Sequence, residues 1–277
     1  MTISIEKIEE FKRKLISDEK SKATAEQYAR RIAAMRNALD GQELTRESVL
    51  EYKELLKQKY APASVNAAIA AINSFLDYIG MHEHKLKNVK IQRKVYADSG
   101  RELKKEEYKS LLAAAGGKPR LSMILQTLVS TGIRISELKF ITTEAIERGI
   151  AEIDCKGKHR TVFIPQKLCR MLKKYANKLK IKMGSIFITK NGNPVDRSNL
   201  AKELKKLAEA AKVAKEKVFP HNFRHLFARI FYSAYKDIVR LSDILGHSSI
   251  NTTRIYTRES GEVHRRQIDD LMRKLAV

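Results

Sequence analysis

Four short segments in the second half of the chain bring together the residue types that phosphate chemistry needs. They are Thr131-Gly132-Ile133-Arg134-Ile135-Ser136-Glu137-Leu138, Lys156-Gly157-Lys158-His159-Arg160, Pro220-His221-Asn222-Phe223-Arg224-His225, and residues 245–256, which end in Tyr256. Cleavage of a phosphodiester without a metal ion requires a nucleophile, cations that stabilise charge on the phosphate oxygens, and groups that donate and accept protons. The four segments contain candidates for each of these roles.

Each segment also has an ordinary structural explanation. Arg134 and Glu137 are three residues apart, so they share one helix face and could form a surface ion pair, which adds little to the stability of a fold. The basic turn around Lys156 and Lys158 could simply be solvated. An arbitrary tyrosine such as Tyr256 is more often part of a core than reactive. No single segment therefore decides the function.

Histidines in two of the segments suggest a zinc site as the alternative to metal-free phosphate chemistry, because two histidines can ligate that metal. They are His221, His225 and His247. Arg224 lies between the first two, and no carboxylate or cysteine occurs at ligand spacing. The two cysteines of the chain form no Cys-x-x-Cys pair, and we find no Walker phosphate-binding loop. We therefore predict neither a metal nor a cofactor.

The charge of the whole chain indicates an anionic partner. Its 277 residues include 55 Lys and Arg against 32 Asp and Glu, a formal net charge of +23. An excess of this size favours DNA or RNA over an anionic lipid surface. No apolar run approaches the roughly 18 residues of a membrane span, and the N-terminal residues carry acids instead of a signal peptide's apolar stretch. We expect a cytoplasmic, nucleoid-associated protein without a membrane partner.

The elements that must position these segments are mostly helices. In the first 88 residues, apolar side chains recur every three or four positions in four stretches, which predicts a small bundle of four amphipathic helices. Thr45 suits the N-cap of one helix, Pro62 the first turn of the next, and Gly80 its end. Residues 89–101 are polar, basic and without a clear period, and we interpret them as a linker.

Residues 102–277 are predicted to form a second domain, in which two helical patterns precede Gly132. Three strand candidates follow, at residues 151–155, 161–165 and 185–189. The first two are joined by the basic turn that contains Lys156. After residue 196 the chain is helical almost to its end. The pattern predicts a mostly α fold with a small β-sheet (α+β).

In this order, the segments resemble the tyrosine recombinase (integrase) family, particularly its short Xer-like and transposon-integrase members. An arginine, a lysine in a β-hairpin, His-x-x-Arg, Leu-Gly-His and a tyrosine follow one another as they do in that family. The resemblance covers essentially the whole chain. It implies a SAM-like core-binding domain of four helices at residues 1–88, a linker at 89–101, and a catalytic domain with a C-terminal tail helix at 102–277.

The resemblance also implies a role for each candidate residue. Arg134 and Arg224 would hold the non-bridging oxygens of the scissile phosphate, since a guanidinium stays charged and binds phosphate through two donors. Tyr256 would attack phosphorus, leaving a 3′-phosphotyrosyl bond and a free 5′-hydroxyl. Glu137 occupies the position where the family keeps a supporting acid.

Further roles implied by the resemblance concern hydrogen bonds and protons. His221 would accept the tyrosine proton, and His247 would hydrogen-bond the phosphate. Lys156 would be the general acid for the leaving 5′-oxygen. Cys155, however, stands where the family often has the first glycine of Gly-Lys-Gly, so Lys158 remains an alternative general acid.

The partners follow from the same resemblance. A homotetramer would act on double-stranded DNA that carries a specific recombination site, and it would exchange strands through a four-way junction without ATP. The apolar stripe after Tyr256 would either dock on a neighbouring protomer or pack on its own domain. The task would be integration or excision of a mobile element, or dimer resolution. The alternative is a non-catalytic DNA-binding protein of the same fold.

Overall fold

The computed structural model describes residues 1–91, 99–155, 158–189, 191–247, 249–256 and 261–275. The chain divides into two compact units, Met1–Arg93 and Lys94–Val277, and each unit has its own hydrophobic core. Within the described ranges, no helix is both long enough and apolar enough to cross a lipid bilayer.

Four α-helices build the first unit, as the sequence predicts, and a 3₁₀ helix follows them. They are α1 (Ile5–Ser17), α2 (Lys22–Leu39), α3 (Arg46–Lys59), α4 (Pro62–Tyr78) and the 3₁₀ helix His82–His84. Side-chain oxygens of Ser4, Ser21 and Thr45 accept backbone N–H groups in the first turns of α1, α2 and α3. Pro62 begins α4 where proline loses no helical hydrogen bond. These caps satisfy donors that a helix start leaves unpaired.

The segment after α4 is tied to the first unit by two asparagine side chains. Asn66 accepts the Val89 N–H at 2.8 Å and donates to the Val89 carbonyl at 3.0 Å. Asn73 makes the same pair of bonds with Leu86, at 2.8 and 2.9 Å. Because the two asparagines lie about two turns apart on α4, they hold the segment along one side of that helix.

The second unit is helical apart from one hairpin. Its α-helices are α5 (Lys105–Ala114), α6 (Pro119–Thr131), α7 (Thr143–Arg148), α8 (Gln166–Lys178), α9 (Arg197–Ala210), α10 (Pro220–Tyr235), α11 (Ile238–Leu245), α12 (Ile250–Thr253) and α13 (Gly261–Leu275). Shorter 3₁₀ helices occupy Ser99–Arg101, Ile135–Phe140 and Lys215–Lys217. The strands are β1 (Ile150–Cys155) and β2 (Lys158–Phe163).

The hairpin is antiparallel, and one of its faces belongs to the core. Ile153 and Val162 are buried, at 2% and 3% exposure, whereas His159 and Thr161 are exposed. This alternation is the period of a half-buried strand. Arg160 pairs directly with Ile153 in the register, so its side chain leaves β2 on the buried face.

The prediction of a third strand at residues 185–189 is wrong. This segment makes only isolated bridges in the described part of the chain, and the sheet has two strands. Ile186 and Phe187 are nonetheless buried, at 0% and 1% exposure, and the Ile186 N–H donates to the Ile141 carbonyl at 2.9 Å. The apolar run therefore reflects burial in the core, which strand formation shares but does not require.

Candidate active site

Arg224 on α10 is a buried cation held by backbone carbonyls. It is 1% exposed, and its Nη1 and Nη2 donate to the carbonyls of Gly132 and Leu245, each at 2.6 Å. Both carbonyls lie at helix ends, where backbone oxygens lack helical partners. Burial and then the charge of Arg134 lower the pKa of Arg224 to about 10, so the guanidinium stays charged at neutral pH.

Two glycines end the helices that supply these carbonyls. Gly132 follows α6 at φ +64° and Gly246 follows α11 at φ +63°. A Cβ on Gly132 would overlap the ring of Phe227, and a Cβ on Gly246 would overlap Cδ of Arg160. Glycine alone combines this left-handed backbone with so close an approach. The two helix stops that the sequence predicts are confirmed.

A buried carboxylate links two further arginines. Glu137 is 2% exposed, its Oε1 accepts from Arg134 Nη1 at 2.9 Å, and its Oε2 accepts from Arg160 Nη2 at 2.5 Å and from the Arg134 backbone N–H at 2.7 Å. Burial alone would raise the pKa of Glu137. The backbone N–H of Arg134 and the charge of Arg160 more than offset burial, so the pKa lies below its usual value and the group is an ionised counter-ion.

The arginines that Glu137 links differ in exposure. The side chain of Arg134 is 43% exposed, so part of its guanidinium faces solvent. The side chain of Arg160 is 11% exposed, and its Nη1 donates to the Ile244 carbonyl at 2.6 Å. Both charges act on Arg224. Three guanidinium groups thus lie together with one carboxylate, which pairs with two of them, and the excess positive charge suits the oxygens of a phosphate.

His247 is oriented by two polar partners. Its Nδ1 lies 2.8 Å from Thr253 Oγ1, and its Nε2 lies 2.9 Å from Arg224 Nη2. Because a guanidinium can only donate, Nε2 must accept, and the proton of the neutral ring is assigned to Nδ1. Burial, followed by the charges of Arg224 and Arg134, lowers the pKa of His247 to about 4. The ring is therefore neutral at neutral pH.

Tyr256 lies in the turn that follows α12, among three imidazoles. It is 5% exposed. Its ring centroid is 4.5 Å from that of His225 in an edge-to-face arrangement, 5.7 Å from that of His247, and 6.5 Å from that of His221. Its side chain also lies within electrostatic reach of the Arg224 guanidinium. A phenol thus lies beside a fixed cation and several groups that can accept a proton.

His221 and His225 are one turn apart on α10, with ring centroids 4.8 Å apart. Burial, and then the neighbouring charges of His221 and Arg229, lowers the pKa of His225 to about 4. His221 is more exposed, and partial burial of its ring followed by the charge of Arg224 also lowers its pKa. Neutral forms of both rings are favoured at pH 7. Among the described residues, no group of three or more His, Cys, Asp or Glu side chains is placed to hold a metal ion.

Polar contacts fix α10 within the second unit. Asn222 Nδ2 donates to the carbonyls of Arg101 and Lys217, at 2.7 and 2.8 Å. Arg229 pairs with Glu102 and donates through Nη2 to a neighbouring backbone carbonyl at 2.5 Å. The helix that carries His221 and Arg224 is therefore anchored near its start and near its middle.

The structure brings most of the predicted site residues into one cluster. Those in the cluster are Arg134, Glu137, His221, Arg224, His247 and Tyr256. Lys156 lies outside the described residues. For Lys158 the structure describes the backbone of β2 and not the side chain.

Three members of the cluster received no role from the sequence. The sequence pattern could have identified Arg160, because side chains alternate between the two faces of a strand and Arg160 lies on the face opposite to His159. His225 had one as well, since it lies four residues from His221 and so shares its helix face. Thr253 had none, because its contact with His247 depends on how α12 folds back.

Each of the two units matches the model of a known protein family. Residues 101–262 match the model described as "Phage integrase family", and residues 8–82 match "Phage integrase, N-terminal SAM-like domain". The chain belongs to the phage integrase family. The sequence-based prediction of a tyrosine recombinase is therefore confirmed, and with it an enzyme of site-specific DNA strand breakage and rejoining.

Similar proteins of this family span nearly the whole chain. Tyrosine recombinase XerA of Pyrococcus furiosus is 30% identical over 265 residues, which is 93% of this chain and 91% of XerA. A lambda integrase dimer bound to a COC′ core site has a TM-score of 0.75 at 18% identity and covers 94% of this chain and 97% of its own. A lambda integrase tetramer bound to a Holliday junction has a TM-score of 0.72 at 19% identity and covers 92% and 78%. These structures share the predicted fold.

Proposed function

We propose that the chain cuts and rejoins DNA through a 3′-phosphotyrosyl bond to Tyr256. The environment of this tyrosine is the observation that supports the proposal most directly. Its ring is buried against three imidazoles, and its side chain lies within electrostatic reach of the Arg224 guanidinium. A free tyrosine has a pKa of about 10, so a tyrosine nucleophile needs nearby positive charge and a base. Packing alone would require neither.

The phosphate clamp is formed by Arg134 and Arg224. Backbone carbonyls hold Arg224, and the buried carboxylate of Glu137 holds Arg134. Because these partners are in place before DNA binds, the cations need little reorganisation when negative charge develops on the phosphate oxygens. Glu137 supports the clamp as a counter-ion and does not touch the phosphate.

At the clamp, one histidine accepts a proton and another forms a hydrogen bond with the phosphate. His221, whose neutral form is favoured, accepts the proton of Tyr256. His247 at present accepts from Arg224 through Nε2. To donate from that atom to a phosphate oxygen, the ring must take up a proton there. An anionic phosphate favours this step, because a nearby negative charge raises the pKa of an imidazole.

A lysine of the hairpin turn protonates the leaving 5′-oxygen, and Lys156 is our choice. The turn joins β1 to β2, whose strand carries Arg160 into the cluster. Lys158 is the alternative. A lysine on a turn can reach an oxygen that rigid groups cannot, and alanine substitution of each lysine separates the two assignments. The correct lysine is the one whose loss slows cleavage of ordinary DNA and is rescued by a leaving group that needs no proton.

The partner is double-stranded DNA with a specific recombination site. Both units bind the duplex, and the formal charge of +23 supplies attraction to the phosphates. Four copies act together through a four-way junction, a proposal supported by the lambda integrase tetramer that was solved on a Holliday junction. A nucleoid location in the cytoplasm follows from this substrate.

The tail helix α13 docks on a neighbouring copy. Ile268, Leu271 and Met272 are 61%, 55% and 62% exposed. Leu271 and Met272 lie three and four residues after Ile268, so both share its face of the helix. An exposed apolar stripe of this kind favours docking on another protomer over packing on its own domain.

Covalent capture tests the proposed chemistry. The protein is incubated with genomic fragments that carry random nicks, without metal or ATP, and DNA that stays attached after denaturation is sequenced. We expect one recurrent sequence, attached through its 3′ end. The Tyr256→Phe variant should bind DNA as wild type does and form no adduct. Adducts that persist in this variant would show that Tyr256 is not the nucleophile.

The second candidate function is a DNA-binding protein of this fold without chemistry. It predicts tight, salt-sensitive binding to duplex DNA and no adduct from the wild-type chain under any of these conditions. The buried cluster around Tyr256 argues against it, because binding alone would not require desolvated imidazoles with pKa values near 4.

A further inference from the structure

Arg160 anchors the hairpin at the end nearest its turn. On the buried face of β2, Val162 packs in the core and Arg160 comes next toward the turn. The exposed neighbours of Arg160 in the strand, His159 and Thr161, make no such anchor. The guanidinium therefore determines where the last part of the described hairpin lies relative to the rest of the second unit.

Both anchors of this guanidinium adjoin the phosphate clamp. Nη2 donates to the carboxylate of Glu137, which also holds Arg134. Nη1 donates to the carbonyl of Ile244, and the neighbouring Leu245 carbonyl holds Arg224. The stem of Arg160 lies against Gly246 so closely that a Cβ there would overlap it. The Arg160 side chain thus fixes the position of the hairpin relative to both arginines of the clamp, Arg134 and Arg224.

Stability alone is a poor explanation for this arrangement. Within the described part of the chain, Nε of Arg160 is buried without a hydrogen-bond partner. A buried ion pair is often no more stable than apolar side chains of similar volume, because the desolvation of two charges offsets their attraction. A geometric role accounts for a charged anchor better, since the short, directional bonds to Glu137 and Ile244 define a position that an apolar contact would leave loose.

We propose that Arg160 is a positioning residue for the general acid, and that it acts by fixing β2 at the end that adjoins the hairpin turn. It touches neither the phosphate nor the nucleophile. This inference rests on the proposed function, in which a lysine of that turn donates the proton. Loss of Arg160 should therefore slow the departure of the 5′-oxygen while the clamp and Tyr256 still support attack.

In the cleavage step, attack by Tyr256 and departure of the 5′-oxygen depend on different groups. The phenol oxygen of Tyr256 bonds to phosphorus, its proton passes to His221, the bond from phosphorus to the 5′-oxygen breaks, and that oxygen takes a proton from the lysine. If sulfur replaces the bridging 5′-oxygen, the leaving group is a thiolate. A thiol has a pKa of about 8.5 in cysteine, far below that of an alcohol, so the thiolate leaves without general acid catalysis.

The experiment measures adduct formation on two duplexes that carry the captured site, one with the ordinary 5′-oxygen and one with sulfur at the scissile position. Arg160→Lys and Arg160→Ala are compared with wild type, and Arg170→Lys on the exposed surface of α8 is the matched control. A shift of about 1 Å can cost a reaction about 100-fold, so we expect Arg160→Lys to be roughly 10- to 100-fold slow on oxygen and within about 3-fold of wild type on sulfur. Arg170→Lys should match wild type on both.

The ratio of the two rates also controls for folding. A variant that is partly unfolded loses activity on both duplexes by the same factor, because each duplex meets the same folded fraction. Equal losses on oxygen and sulfur would therefore overturn the proposal. Wild-type rates on both duplexes would overturn it as well.

A double-mutant cycle tests the path through the lysine. In the background of the lysine-to-alanine variant that sulfur rescues, Arg160→Lys should cost less than about 2-fold more on the oxygen duplex, since a residue that acts through another has nothing left to position. Fully additive losses would contradict this path. A wild-type chain that forms no adduct on either duplex would overturn the proposed function first, and this inference with it.

Discussion

The two units of the chain treat charge in opposite ways. In the described residues of the first unit, Ser48 is the buried polar side chain, and cations such as Lys57 form ion pairs at the surface. In the second unit, Arg224 and Glu137 are buried at 1% and 2% exposure and are held by short hydrogen bonds. One unit therefore keeps its charges in water, and the other removes several from it.

Under the proposed function, this difference reflects what each unit does with a phosphate. Exposed cations attract a DNA backbone at any register, and each is worth little to folding. A catalytic clamp must instead have its charges fixed before the transition state forms, and desolvation strengthens their action. The second unit should accordingly be sensitive to small changes that the first unit tolerates.

The largest expected effect comes from the clamp. Arg224→Lys keeps a positive charge but loses the planar fork that reaches Gly132 and Leu245. We expect adduct formation to slow by about 100- to 1000-fold. Lys57→Ala, at an exposed ion pair of the first unit, should leave the rate on a short duplex within about 3-fold and the free energy of unfolding within about 0.5 kcal/mol. Comparable losses in both variants would remove the distinction between the units.

Glycine-to-alanine substitutions compare the packing of the two units. Gly41 in the first unit and Gly246 in the second both have a positive φ, +82° and +63°. A Cβ on Gly41 meets nothing within 4 Å, so Gly41→Ala should cost about 1 kcal/mol from backbone strain alone. Gly246→Ala must also displace Arg160 and should cost about 3 kcal/mol. Urea unfolding of each full-length variant measures both, and equal costs would contradict the close packing at Gly246.

Acid should destabilise the second unit in particular. The pKa values of His225 and His247 are about 4 in the folded chain, against about 6.5 for an unfolded histidine. Below pH 6.5 the unfolded state binds more protons, so stability falls as the pH drops from about 6.5 toward 4 and is constant in this respect above it. We expect a loss of about 2 kcal/mol from each of the two histidines between pH 7 and pH 5.

Hydrogen exchange of the full chain can locate this loss. After correction for intrinsic rates, amides of α10 should lose protection between pH 7 and pH 5, and amides of α4 should not. His225→Gln should reduce the loss in α10 by about half, because one of the two shifted histidines is gone. An unchanged loss in that variant would show that other groups are responsible.

The smallest expected effect concerns neutral hydrogen bonds in the first unit. Asn66→Ala removes the pair of bonds to Val89, and Asn73→Ala removes the equivalent pair to Leu86. Each substitution should cost about 1 kcal/mol locally, which corresponds to roughly 5-fold faster exchange of the amide that loses its acceptor. Each variant serves as the control for the other. Exchange that rises equally at Leu86 and Val89 in both variants would contradict two separate contacts.

Local features of the fold could be predicted from sequence, and contacts between distant segments could not. Thr45, Pro62, Gly132 and Gly246 mark helix ends through their own backbone preferences, so each prediction was correct. The segment at residues 185–189 was misassigned because an apolar run reports burial and does not specify hydrogen-bond partners.

The candidate site shows the same limit. The pairing of Arg134 with Glu137 follows from their spacing, and the structure confirms the contact. The burial of Glu137 does not follow from it, because that requires Arg160 to arrive from a strand 23 residues away. A surface ion pair and a buried counter-ion look identical in sequence, and only the tertiary fold distinguishes them.

Under the proposed function, Tyr256 carries the covalent bond to DNA. Mass spectrometry of the captured adduct, after nuclease and protease digestion, measures this directly. We expect a nucleotide remnant joined through its 3′-phosphate to the peptide that contains Tyr256. A remnant on any other residue, or one joined through a 5′-phosphate, would contradict it.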